Sequence, residues 1–143
     1  MKKMLFYLCL ILMIFSLVAC KQAGKTNKVV ISTSESAKFS KMEVNAAINC
    51  VKKKFKDFEG CNLTKLWYDE ERSNSIIEGY LSNGKGSVNN VKAENVIVLL
   101  SNFDVDSSGG DGGFNPNSAY SNWNWILIRD SKTDNWRVDD WGY

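Results

Sequence analysis

A chain of 143 residues, 44% apolar and 12% aromatic, is long enough for one folded domain and too rich in apolar residues for wholesale disorder. Its 18 Lys and Arg against 16 Asp and Glu leave a formal charge of +2, too balanced for a strongly basic nucleic-acid binder. It has no histidine, which excludes His-based acid–base catalysis, Ser-His and Cys-His nucleophile pairs and every His-containing metal site.

Met1, Lys2 and Lys3 give a positive start, and residues 4–18 are almost wholly apolar, with Ser16 the one clear polar interruption. This is the layout of a secretory signal. It is shorter than the roughly 20 apolar residues a spanning helix needs. The run closes on Leu17-Val18-Ala19-Cys20, which resembles the bacterial lipoprotein box. The resemblance implies a signal peptide over 1–19 and a diacylglyceryl group on Cys20, with the mature chain anchored on the outer face of the cell membrane. Two acyl chains hold a protein stably where one does not. The plainer alternative is an ordinary cleaved signal or an uncleaved anchor, with Cys20 incidental.

Without Lys2 and Lys3 the charges balance at 16 against 16, but they are not mixed. Residues 21–65 carry ten Lys and four acids, and residues 66–143 carry six basic and twelve acidic residues. The basic half is the half next to the lipid, where each charge gains about 1 kcal/mol against an anionic leaflet. The alternative is a solvated helix face plus a tether.

Residues 20–37, polar and without an aromatic residue, read as the lipidated cysteine and a tether, interrupted by Val29-Val30-Ile31 as a short strand. Ser40-Lys41-Met42-Glu43 is a capping box. Behind it Val44, Ala47, Ile48, Val51, Phe55 and Phe58 form one helical stripe that Gly60 stops. Residues 62–68 alternate as a strand, and Ile76, Ile77, Tyr80 and Leu81 mark a second, shorter helix within 69–82. Val96 to Leu100 is apolar on both faces, as in a central strand. Residues 106–117 form a Gly-rich loop. In 120–130, Trp123, Trp125 and Leu127 share one face and Ile126 and Ile128 the other, and a turn over 131–134 leads into a last strand over 136–141. The order predicts a single α+β domain over 38–143, an N-terminal helix packed on a curved antiparallel sheet, with the helices on one face.

From Phe39 to Tyr143 the chain resembles a family of small, uncharacterised, lipid-anchored proteins of low-GC Gram-positive bacteria. Gly60-Cys61, Leu66-Trp67-Tyr68-Asp69-Glu70-Glu71, Val96 to Ser101, Trp123-Asn124-Trp125-Ile126-Leu127 and Asp140-Trp141-Gly142-Tyr143 carry the resemblance. That family is similar to the nuclear-transport-factor-2-like, or cystatin-like, cones. The resemblance implies a bent sheet wrapped around helices. Members include isomerases, cyclases and dehydratases alongside pure binding domains, so fold does not decide function.

Three constellations bear on chemistry. Cys50 and Cys61 either bridge, closing a loop of about 11 residues, or stand as two buried thiols. Asp104, Asp106 and Ser108 ahead of Gly109 match the first positions of a calcium loop, but Asn115 stands where a bidentate Glu belongs. A weak calcium site or a plain surface loop are the two readings. Trp67, Trp123, Trp125, Trp136 and Trp141 either line a pocket or pack the core. Asp130, Asp139 and Asp140 lie near them in sequence. The expectation is a non-enzymatic envelope module that binds a ligand or protein, without cofactor or nucleic acid. The alternative is a small metal-free cone enzyme using Asp130 or Asp140 to move a proton. A third reading, a carbohydrate binder, needs coplanar exposed tryptophans.

Overall fold

The computed structural model describes residues 22–110 and 113–143. The signal segment and Cys20 lie outside the described residues, as does part of the Gly-rich loop.

Helix α1 (Lys41–Phe55) starts where the capping box places it: the Ser40 hydroxyl accepts from Glu43 N–H, and Glu43 reaches back to Ser40 N–H at 2.8 Å. Its predicted stripe is buried from Val44 to Phe55, but the helix ends there, ahead of Gly60, and Phe58 is buried from the turn that follows. Gly60, at φ 67, turns the chain into strand β2 (Cys61–Tyr68). A Cβ there would meet the side chains of Ser108 and Asp106, so the turn is shut to other residues by contact as well as by its left-handed backbone.

Helix α2 (Glu70–Asn83) is capped by Asp69, whose carboxylate accepts from Arg72 N–H at 2.9 Å. Gly79 faces open space and costs the helix only its backbone entropy. A short helix α3 (Lys85–Val88) and a 3-10 turn (Ala93–Asn95) lead to the centre of the sheet. There β3 (Val96–Val105) pairs antiparallel with β2 and with β4 (Ala119–Ile128), and β4 pairs with β5 (Arg137–Gly142).

Strand alternation divides the interior into two layers. Ile97, Leu99, Phe103, Trp125 and Leu127 pack with α1, and Val96, Val98, Ile126 and Ile128 pack with Ile77 and Tyr80 of α2. This corrects the expectation of helices on one face: α1 and α2 cover opposite faces. Val96–Leu100 is apolar on both faces because it has a helix on each side. Ser73 of α2, fully buried, accepts a hydrogen bond from Val98 N–H at 3.1 Å and pins the second layer to the sheet. Each of the three antiparallel ladders carries one register shift, near Thr64, Asn122 and Asp139. Such bulges bend a strand and raise its twist.

The second correction concerns the segment read as a tether. Strand β1 (Val30–Thr33) forms the sheet edge, parallel to β2, so the sheet is mixed and not purely antiparallel. Upstream of it, Gly24 N–H donates to Lys56 O at 3.0 Å, Lys25 N–H to Cys61 O at 2.9 Å, and Gly60 N–H to Gln22 O at 3.0 Å. A Cβ on Gly24 would collide with the backbone of Phe55 and Phe58. Downstream, Ser36 and Ala37 N–H bind the Glu70 carboxylate. Residues 22–37 are therefore laid against the domain from end to end.

Candidate functional site

The five tryptophans do not line one pocket. Trp125 is fully buried, with its indole N–H donating to Ser101 Oγ at 2.8 Å. Trp136, 8% exposed, donates its indole N–H to Glu43 O at 3.1 Å and lies under the Arg129 guanidinium, 4.3 Å from ring centre to Cζ. Trp67 is half-buried beneath Lys65 Nζ at 4.7 Å. Trp123 and Trp141, with the buried Trp125 behind them, belong to one aromatic cluster.

The cluster lies at the end of the molecule where α1 finishes and β5 runs out. Phe58, Phe103, Phe114, Tyr120, Trp123, Trp125 and Trp141 touch ring to ring, with Phe58 at the junction, 5.0 Å from Trp125 and 6.3 Å from Trp141. The interior of the α1 layer is filled by these rings. The cluster then continues to the surface, where Trp141 is 43% and Tyr143 78% exposed. Lys54 Nζ stands 4.8 Å over the Trp141 ring and also pairs with Asp57 at 3.1 Å. Asp57, Phe58, Glu59, Phe114 and Trp141 enclose a shallow recess of about 200 Å³. Trp141 and the buried Trp125 are tilted by 31°, and Tyr143 meets Trp123 edge-on at 74°. The coplanar exposed pair that a sugar-stacking platform needs is not formed by these rings.

The other predicted residues lie apart. Cys50 and Cys61 are free thiols, which corrects the bridged reading. Cys50 faces β5 and donates to Trp136 O at 3.3 Å, while Cys61 points into the α1 layer at the start of β2. Burial raises the Cys50 thiol, and burial together with Asp106 pushes Cys61 up to about 11, so both stay protonated at neutral pH. The Asp106 carboxylate is taken by Ser108, accepting from its N–H at 2.8 Å and from its hydroxyl, and these bonds hold its pKa below the usual range. Asp104 lies on β3, and among the described residues no three acids or cysteines stand together as a metal site. The segment behaves as an Asx turn.

Asp130 and Asp140 are surface carboxylates. Arg137 holds Asp130 at 2.9 Å and lowers its pKa, and Lys85 holds Asp140 at 3.1 Å. Neither is buried among the tryptophans. A larger recess of about 460 Å³ at the opposite end is polar and lined by Lys92, Glu94, Asn95, Arg137 and Asp139. Asp139 accepts the Tyr80 hydroxyl at 2.6 Å, and burial with this carboxylate drives the Tyr80 pKa up, so the phenol stays a donor that ties α2 to β5. Sequence reasoning missed that tie and the Arg129–Glu43 pair, because both join residues far apart in the chain.

The protein is thus a small α+β domain with a filled core and one aromatic, partly exposed end. The chain belongs to the DUF4829 family, a domain of unknown function, whose model matches residues 22–142. The match begins at Gln22, in agreement with the docked segment being part of the domain. No curated protein and no solved structure matches the chain.

Proposed function

We propose that the protein is a lipid-anchored, extracytoplasmic module on a cystatin-like fold that binds through its aromatic end and performs no catalysis. One observation carries the reading: the space between α1 and the sheet is occupied by Phe55, Phe58, Phe103 and Trp125, and the aromatic surplus emerges on the surface at Trp141 and Tyr143. The acids support it. Glu43, Glu70, Asp106 and Asp130 are all shifted downward by hydrogen bonds or a cation, the opposite of what a carboxyl needs to donate a proton at neutral pH. The three bulges support the curvature.

The anchor rests on the Leu17 to Cys20 box. Among the described residues no helix is long and apolar enough to cross a membrane. In cells of a Gram-positive host the wild-type protein is expected in the membrane fraction, and Cys20→Ala is expected to leave it. Retention of the variant in membranes washed at high salt, with residues 1–19 removed, overturns the anchor.

A further inference from the structure

We infer that the exposed face of α1, with Trp141 beside it, rests on the anionic headgroups of the membrane that holds Cys20. The inference rests on the lipid-anchor reading and names the partner of the aromatic end.

The path of the chain is the first argument. Gln22 O is held by Gly60 N–H and Gly24 N–H by Lys56 O, both at 3.0 Å. Cys20 stands two residues before Gln22, and two residues reach at most about 7 Å. A lipid on Cys20 would therefore join the domain within about 7 Å of Gln22, which is held at the C-terminal end of α1. Gly60 is two residues from Phe58, which touches Trp141, so lipid and aromatic end share one region.

Charge is the second argument. Lys41, Lys53 and Lys56 are exposed along α1 and its C-cap, with Lys52 half-exposed among them. The one acid of this stretch, Glu43, is engaged with Arg129 and Ser40; just beyond it Asp57 pairs with Lys54, and Glu59 lines the recess beside Trp141. On the other face of the sheet, α2 carries Glu70, Glu71 and Glu78 against Arg72 alone. The uneven charge of the two halves of the sequence thus becomes a basic face on α1 and an acidic one on α2. Each lysine brought to an anionic surface strengthens attachment about fivefold.

Exposed apolar groups are the third. Met42, at 81%, and Trp141, at 43%, stand uncovered at the two ends of the basic stripe or beside it. An indole flanked by lysine is the side-chain chemistry that settles at headgroup depth.

The test uses the full lipidated protein, reconstituted into vesicles of phosphatidylglycerol and phosphatidylcholine that carry a fluorescence quencher at headgroup depth. Its intact mass is taken first. A chain without lipid on Cys20 defeats the anchor reading itself, before any vesicle is added. With lipid present, wild type is expected to lose emission that Trp141→Phe does not lose. This Trp141-dependent quenching is expected to fall about fivefold or more in Lys53→Glu/Lys56→Glu, and likewise on vesicles of phosphatidylcholine alone. Gly24→Ala, which cannot keep the segment against Phe55, is expected to reduce it while unfolding stays cooperative. Equal quenching of wild type and Trp141→Phe overturns the inference with the anchor intact. So does Trp141-dependent quenching that ignores charge reversal, lipid charge and the Gly24 change alike.

Discussion

Trp125→Ala is expected to remove a large part of the stability of the domain. The side chain is fully buried, 5.0 Å from Phe58 and 6.2 Å from Phe55 by ring centres. Truncating a buried tryptophan costs about 3–5 kcal/mol, because the surrounding rings close only part of the cavity. The indole N–H also satisfies Ser101 Oγ inside the sheet, and the orphaned hydroxyl adds about 1 kcal/mol. A domain of this size has about 5–15 kcal/mol in all. Urea unfolding should show a large drop in midpoint at unchanged slope. Trp125→Phe should lose much less, since it keeps a ring in the cluster. A loss under about 1 kcal/mol for the alanine variant is incompatible with a filled core around this residue.

The second large effect is expected at Glu43. This one carboxylate closes the capping box through Oε2, 2.8 Å from Ser40 N, and pairs through Oε1 with Arg129 Nη2 at 2.8 Å. The Arg129 side chain is 2% exposed, set over Trp136 and Phe39, and among the described residues its Nε has no partner. Glu43→Gln leaves that cation without a counter-charge. Breaking a fully buried pair costs about 3–5 kcal/mol. Glu43 is 29% exposed and water screens part of the loss, so about 2 kcal/mol is expected. Arg129→Met added to Glu43→Gln should recover part of it, since an apolar side chain needs no partner there.

The same group sets an acid dependence. Glu43 lies below its ordinary 4.5 chiefly through the Ser40 backbone N–H, opposed by burial and helped by the Ser40 hydroxyl and Arg129. A carboxylate lowered by folding contributes above its unfolded pKa, and that contribution is lost as pH falls through the folded value. Wild-type stability should therefore decline on acidification below about pH 4.5, and Glu43→Gln should flatten this part of the curve. An unchanged acid limb in the variant would assign the decline to other carboxylates.

Much of the fold was legible because its signals are local. The capping box at Ser40, the stripe from Val44 to Phe55 and the opposed faces of Trp125 and Ile126 depend only on backbone period and on groups three or four residues apart. The short strand at Val29-Val30-Ile31 was legible and forms as β1, but the docking of residues 22–37 was not. β1 has no buried side chain to mark a core-facing side, and its parallel partner begins 35 residues later at Lys65. The two faces for the two helices were implicit in Val96–Leu100, whose apolar residues on both sides need two covers. Among the tryptophans, spacing separates one strand face from the other but not core from rim. Trp125 and Trp123 share a face, yet the bulge near Asn122 and the loop carrying Phe114 decide that only the first is sealed. The thiols failed to meet because Cys50 turns toward β5 while Cys61 enters the core beyond Gly60.

A domain that is docked at Gln22 and shows a basic helix beside an exposed indole makes physical sense as a protein held close to a lipid surface. The intact mass of the protein extracted from host membranes tests that account most directly. The account predicts a chain that begins at Cys20 and carries a diacylglyceryl group on it. An unmodified Cys20, or a mature chain that keeps residues 1–19, would contradict it.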